Sequence, residues 1–171
     1  MIQLSKIDRA AEFAKQAHAG QTRRGGEPYF NHVYRVAQLA TRHTADEDII
    51  AVAYLHDTME DCEVSSAELA ERFGNRVAAM VQELTNDEEL LEQLGKEEYM
   101  VRKLSAMSAD ALLVKLCDTL NNMTETDRPS QAGTYARIQQ RLQQSLPSSW
   151  QPVHQLLSQQ ILATYAAKFG E

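Results

Sequence analysis

The chain has 171 residues, 43% hydrophobic and 24% charged, which suits one domain with a sizeable core. Its net charge of −7 lacks the basic footprint that DNA or RNA binding requires, so nucleic acid is not expected as a partner. No apolar run reaches membrane-span length, and "MIQLSKIDRAAEFA" has neither the apolar stretch nor the cleavage site of a signal peptide, so a cytosolic address with Cys62 and Cys117 reduced is expected.

Taken in chain order, residues 2–19 show near-helical apolar spacing that stops at Gly20. "GQTRRGGEPY" is polar and rich in glycine, so an irregular, flexible loop is expected. A second helix runs over residues 30–43. "TADEDIIAVAYLHD" starts on a cap-like Thr44 with acidic residues in its first turn, which predicts a helix through the His-Asp pair. "SSAELAERFG" reads as a short helix capped by Ser65 or Ser66 and ended by Gly74, and "NRVAAMVQELT" as the next. "NDEELLEQLGKEEY" is acidic, either a mobile loop or a loose helix entry. Helices are expected over 99–107 and 109–126, the second apolar enough to be central, and then over 131–145 and 151–169 around "LPSSWQP". No segment keeps a period of two. The expected architecture is all-α, one domain over 1–171, with helices beyond residue 130 closing it.

"YLHDTMED" places His56, Asp57, Glu60 and Asp61 within six positions. On a continuous helix, residues four apart share a face, so His56 lies over Glu60 and Asp57 over Asp61. Two readings fit: a frayed, solvated acidic helix end, or a cation site, since imidazole with carboxylate suits Mn, Fe or Zn. "PYFNH" adds His32 behind the glycine-rich loop. "LLVKLCDTLNN" puts Asp118 in an apolar helix, where a carboxylate is costly without a partner, with Asn122 one turn on.

A His, a His-Asp pair and a distant helical Asp resemble the HD-domain metal phosphohydrolases. Three stretches, "AKQAHAGQTRRGGEPYFNHVYRVA", "AYLHDTMEDCEVSSAELAERFGNRVAAMVQELT" and "LLVKLCDTLNNM", look like the hydrolase domain of the RelA/SpoT alarmone family. The likeness covers about residues 5–127. The resemblance implies an all-α stand-alone small alarmone hydrolase with His32, His56, Asp57 and Asp118 as ligands of Mn²⁺ or another divalent metal. It implies release of the 3′-pyrophosphate of ppGpp or pppGpp, leaving GDP or GTP. Glu60 and Asp61 become the water-handling pair. Arg23 and Arg24 become nucleotide contacts, suited to phosphate or a purine face. Asn122 matches a substrate position, and Lys115 is either a phosphate contact or a snorkelling side chain.

Two departures bear on the substrate. Thr119 and Thr124 stand where family members commonly carry basic residues, and Gly25 stands where the Arg-rich loop usually has Ser. Adenosine alarmones such as (pp)pApp, and NADPH, therefore stay open, as do an HD nucleotidase and a non-catalytic alarmone-binding module. His18, His43 and His154 have no ligand company and are expected to be structural or at the surface. Met80, Met100, Met107 and Met123 suit a core, and Trp150 an interhelical anchor. Cys117, beside Asp118, is a place where oxidation would disturb the site. Monomer and dimer are equally compatible with the family habit.

Overall fold

The computed structural model describes residues 2–170. Among them are eleven α-helices, and the only β feature is an isolated antiparallel bridge between Thr22 and Pro28. The all-α expectation is met. The chain divides into two compact units, one ending at Asn86 and one starting at Asp87.

The first unit holds α1 (Lys6–Ala17), α2 (Tyr29–Thr41), α3 (Glu47–Leu55), α4 (Thr58–Asp61), α5 (Ser66–Phe73) and α6 (Asn75–Leu84). Its centre is α3: every residue from Ile49 to Leu55 is buried. A helix apolar on all faces must be enclosed, and α1, α2 and α6 pack around this one. The ends of the helices obey their local chemistry. Ser5 Oγ accepts from the Asp8 amide, Ser65 Oγ from Glu68, and Asp46 caps α3 through the Asp48 amide. Thr44 thus lies two residues before the cap; its Oγ1 accepts from the Asp46 amide at 3.1 Å. Gly74, at φ +98°, makes the corner between α5 and α6, a conformation that residues with a Cβ rarely adopt.

The second unit holds α7 (Glu88–Leu94), α8 (Lys96–Ala106), α9 (Ala109–Glu125), α10 (Pro129–Gln144) and α11 (Pro152–Phe169). The central role foreseen for the 109–126 helix is met: α9 buries eleven of its residues and packs on α10 and α11. The acidic stretch is an ordered helix, not a loop, because Asp87 accepts from the Leu90 amide and so caps α7. No residue of α7 is buried, so its solvated character stands. Pro129 and Pro152 open α10 and α11 in the first helical position, where a missing N–H costs nothing. His154 is structural: its Nδ1 accepts from the Gln151 amide at 2.9 Å and its Nε2 bonds the Ala109 carbonyl at 2.8 Å. Met80, Met100, Met107, Met123 and Trp150 are all buried.

Candidate metal centre

The helix through "AVAYLHD" stops two residues earlier than its sequence suggests. α3 ends at Leu55, His56 and Asp57 form a turn, and α4 begins at Thr58. Two side chains bond carbonyls at this break. His56 Nδ1 lies 2.6 Å from the Ala53 carbonyl, and Thr58 Oγ1 donates to the Leu55 carbonyl at 2.7 Å. These side chains add bonds to carbonyls at the end of α3. Asp57, at φ −102° and ψ 0°, sits in the bridge region between the two helices. The uninterrupted face joining His56 to Glu60 is therefore corrected to two helix segments.

The same hydrogen bond defines the chemistry of His56. A carbonyl only accepts, so Nδ1 carries a hydrogen and Nε2 is the nitrogen that faces the cluster. His56 Nε2 lies 3.1 Å from Asp57 Oδ2, and His32 Nε2 lies 3.8 Å from that oxygen. One ligand atom each from His32, His56 and Asp57 falls within 4.8 Å of the others. Both histidines are buried, at 1% and 3% exposure, and their rings meet edge-on with centroids 5.7 Å apart. Two imidazoles and one carboxylate converging in this way fit a divalent cation, with the Ala53 carbonyl as the outer partner that ligating histidines usually have.

Tyr29, which the sequence analysis passed over within "PYFNH", belongs to this cluster. Its hydroxyl donates to Asp57 Oδ2 at 2.5 Å. A polar-tipped aromatic three residues before His32, on the same helix face, is the signal that could have found it. Gln21 was missed as well: its Nε2 donates to the Asp61 carbonyl at 2.8 Å and its Oε1 meets His18 Nδ1 at 2.8 Å. Asp61 reaches the surface, yet desolvation of its carboxyl, followed by the charge of Asp57, raises its pKa above the usual carboxylate value. Glu60 is exposed and accepts a hydrogen bond from the Asn86 amide.

The arginine loop has no helix or strand, as expected, but hydrogen bonds pin its backbone. Arg23 N donates to the Glu27 carbonyl at 2.8 Å, Gly26 N to the Arg23 carbonyl at 2.8 Å, and Tyr29 N to the Gln21 carbonyl at 2.9 Å. Gly26, at φ +86°, makes the reversal possible. Arg35 and Asn31 on α2 hold the Glu27 carboxylate, and the Arg35 hydrogen bond leads in lowering its pKa to about 2. The Arg23 guanidinium lies 5.8 Å from the Tyr29 ring centre, and Arg24 is exposed in the same turn.

In the second unit, Asp118 is 5% exposed on α9 and its two oxygens are engaged separately. Lys115 Nζ donates to Oδ2 at 3.0 Å, and Asn122 Nδ2 donates to Oδ1 at 3.2 Å. This supplies the partner that a buried carboxylate needs. Thr119 and Thr124 bond back to the Lys115 and Leu120 carbonyls of their own helix, at 2.9 and 2.8 Å. Cys117 is fully buried, and burial, aided by the charge of Asp118, pushes its thiol up to about 12. The expected oxidation of Cys117 is corrected on that ground, because the reactive thiolate is suppressed and covered.

A fold made of helices, with a histidine on α2 facing a His-Asp pair at the break between α3 and α4, defines a class. The HD-domain family model matches residues 10–153, and the chain belongs to that family. Within it, the chain is 36% identical over 128 residues to the human guanosine-3′,5′-bis(diphosphate) 3′-pyrophosphohydrolase MESH1, covering 72% of this chain and 71% of MESH1. It is 39% identical over 127 residues to the guanosine-3′,5′-bis(diphosphate) 3′-pyrophosphohydrolase of Aquifex aeolicus and 38% identical over 122 residues to the GTP pyrophosphokinase rsh of Brucella ovis. The matches cover 69% and 68% of this chain but only 17% and 16% of those longer proteins. Among solved structures, a metazoan ortholog of SpoT that hydrolyzes ppGpp superposes with a TM-score of 0.65 at 23% identity, covering 98% of this chain and 89% of that one. The lmo0812 protein of Listeria monocytogenes EGD-e gives 0.59 at 24%, with 82% and 97% coverage. At those identities the structural likeness is one of fold.

Proposed function

We propose that this chain hydrolyses the 3′-pyrophosphate of ppGpp and pppGpp, yielding GDP or GTP and pyrophosphate, in the cytosol and with Mn²⁺ as the resident metal. The observation that carries this reading is the convergence of His32, His56 and Asp57 in a chain that aligns with most of the human 3′-pyrophosphohydrolase. Asp118 is proposed as the fourth ligand, following the family resemblance. Residues 1–171 are proposed to work as one HD hydrolase domain, a reading supported by a family match that runs across the Asn86–Asp87 junction.

A divalent cation in such a site lowers the pKa of water and polarises a phosphoryl oxygen. The chain's own residues supply the rest. The two imidazoles and Asp57 hold the charge in a fixed, mostly buried frame. Glu60 and Asp61 handle protons: one accepts from the attacking water, and one returns a proton to the ribose 3′-oxygen as its bond to phosphorus breaks. Water oxygen joins the phosphorus next to the ribose, so pyrophosphate leaves intact. Arg23 and Arg24 receive the nucleotide, and Lys115 and Asn122 reach its phosphate or ribose as well as steadying Asp118. With a net charge of −7, the chain needs these local cations to attract an anionic substrate.

Thr119 and Thr124, which back-bond α9, add no cation, and this favours keeping (pp)pApp and NADPH beside the guanosine alarmones as candidate substrates. The test is product release by the purified protein with Mn²⁺, offering ppGpp, pppApp and NADPH separately. Nucleotide plus intact pyrophosphate, abolished by chelator, is the expected result and ranks the bases. Orthophosphate alone would overturn this reading in favour of a nucleotidase, and metal binding without turnover in favour of a binding module.

A further inference from the structure

We propose that Tyr29 is a positioning residue for the metal centre, fixing Asp57 through its phenol; this rests on the metal-centre reading above. Asp57 lies in the two-residue break between α3 and α4. Ordering a carboxylate on metal binding costs conformational entropy, and a hydrogen bond that holds it beforehand lowers that cost. The Tyr29 hydroxyl supplies such a bond. A carboxylate oxygen only accepts, so the phenol is the donor, and it reaches Oδ2 at 2.5 Å. Oδ2 is the oxygen that also faces His56 Nε2 at 3.1 Å and His32 Nε2 at 3.8 Å. The phenol therefore aims at the cluster the oxygen that a cation would share with both imidazoles.

Tyr29 is itself held from several sides, as such a post must be. It is the first residue of α2, one turn before His32 on the same face, and its amide is tied to the Gln21 carbonyl. Its ring lies against His18, with centroids 4.8 Å apart, meets His32 edge-on at 5.6 Å, and has the Arg23 guanidinium 5.8 Å from its centre. Loss of the hydroxyl alone leaves these ring contacts in place. Groups in this outer position commonly contribute about 10- to 100-fold to metal affinity.

The test is calorimetric titration of Mn²⁺ into chelator-stripped wild type and Tyr29→Phe, with melting of both metal-free proteins measured alongside. The expected result is a dissociation constant about 10- to 100-fold higher for Tyr29→Phe, with the metal-free melting temperature unchanged. The Mn²⁺ concentration for half-maximal ppGpp hydrolysis should rise by the same factor, and kcat at saturating metal should fall less. Equal Mn²⁺ affinity in the two proteins overturns the assignment, as does a lowered metal-free melting temperature with unaltered affinity. A wild type that takes up no Mn²⁺ overturns the metal centre and this inference with it. If the wild type binds Mn²⁺ without hydrolysing ppGpp, the functional reading falls, while the ratio of affinities still decides the role of Tyr29.

Discussion

Asp57 and its neighbours divide into residues that would hold a cation and residues that would work beside it, and substitution should separate the two. Asp57 faces two buried imidazoles, and Asp118 is the proposed fourth ligand, so alanine at either position is expected to abolish both metal content and turnover. Glu60 is exposed and accepts a hydrogen bond from a backbone amide. Glu60→Ala should keep metal and fold and lose turnover by about 100-fold or more, the scale of a positioned proton-transfer group. Metal content by elemental analysis, read against single-turnover rates, checks both expectations; an Asp118→Ala protein with full metal and full rate would remove that residue from the site.

At the level of elements, α3 is fastened at its acidic start as well as through its apolar flanks. Lys6 from α1 donates to Asp48 at 2.6 Å, and Arg76 from α6 bridges Asp46 and Asp48 at 2.9 and 3.0 Å. The pKa of Asp48 is lowered chiefly by the Lys6 hydrogen bond, and that of Asp46 chiefly by the Arg76 hydrogen bond. Carboxylates with depressed folded pKa values stabilise the fold above their unfolded value, about 3.9, and that contribution is lost as pH falls through the folded value. The urea midpoint of wild type should therefore drop as pH falls below about 4. The gap between wild type and Asp48→Asn should close over the same interval; a gap that stays constant down to acid would contradict the linkage. The elements themselves were largely legible in the sequence. Cap residues, glycine corners and apolar spacing placed most of them, while the α7 stretch reads as either loop or helix entry because its acidic run resembles a solvated loop.

For the whole molecule, a cation that binds only the folded chain must raise its stability by mass action. At a free metal concentration 100 times the dissociation constant the gain is about 2.7 kcal/mol, which for a chain of this size raises the melting temperature by roughly 5–10 °C over the chelated protein. Differential scanning calorimetry with Mn²⁺ and with chelator checks this, and superimposable traces would count against a metal centre that only the fold assembles. The family match over residues 10–153 and the all-helical fold agree with what the motifs had implied.

By itself the sequence determined the helical class, the central place of α9, and the residue types of the candidate site. Those features follow from periodicity, capping chemistry and the short list of side chains that suit a divalent cation. Tertiary structure alone decided where the helix breaks, which nitrogen of His56 faces the cluster, and that Tyr29 and Gln21 stand behind Asp57 and Asp61. It also decided that the arginine loop is a pinned turn and that Cys117 is shielded. The reason is physical: such properties depend on which carbonyls, rings and carboxylates meet across dozens of residues, and a pattern of neighbours along the chain carries no record of those meetings.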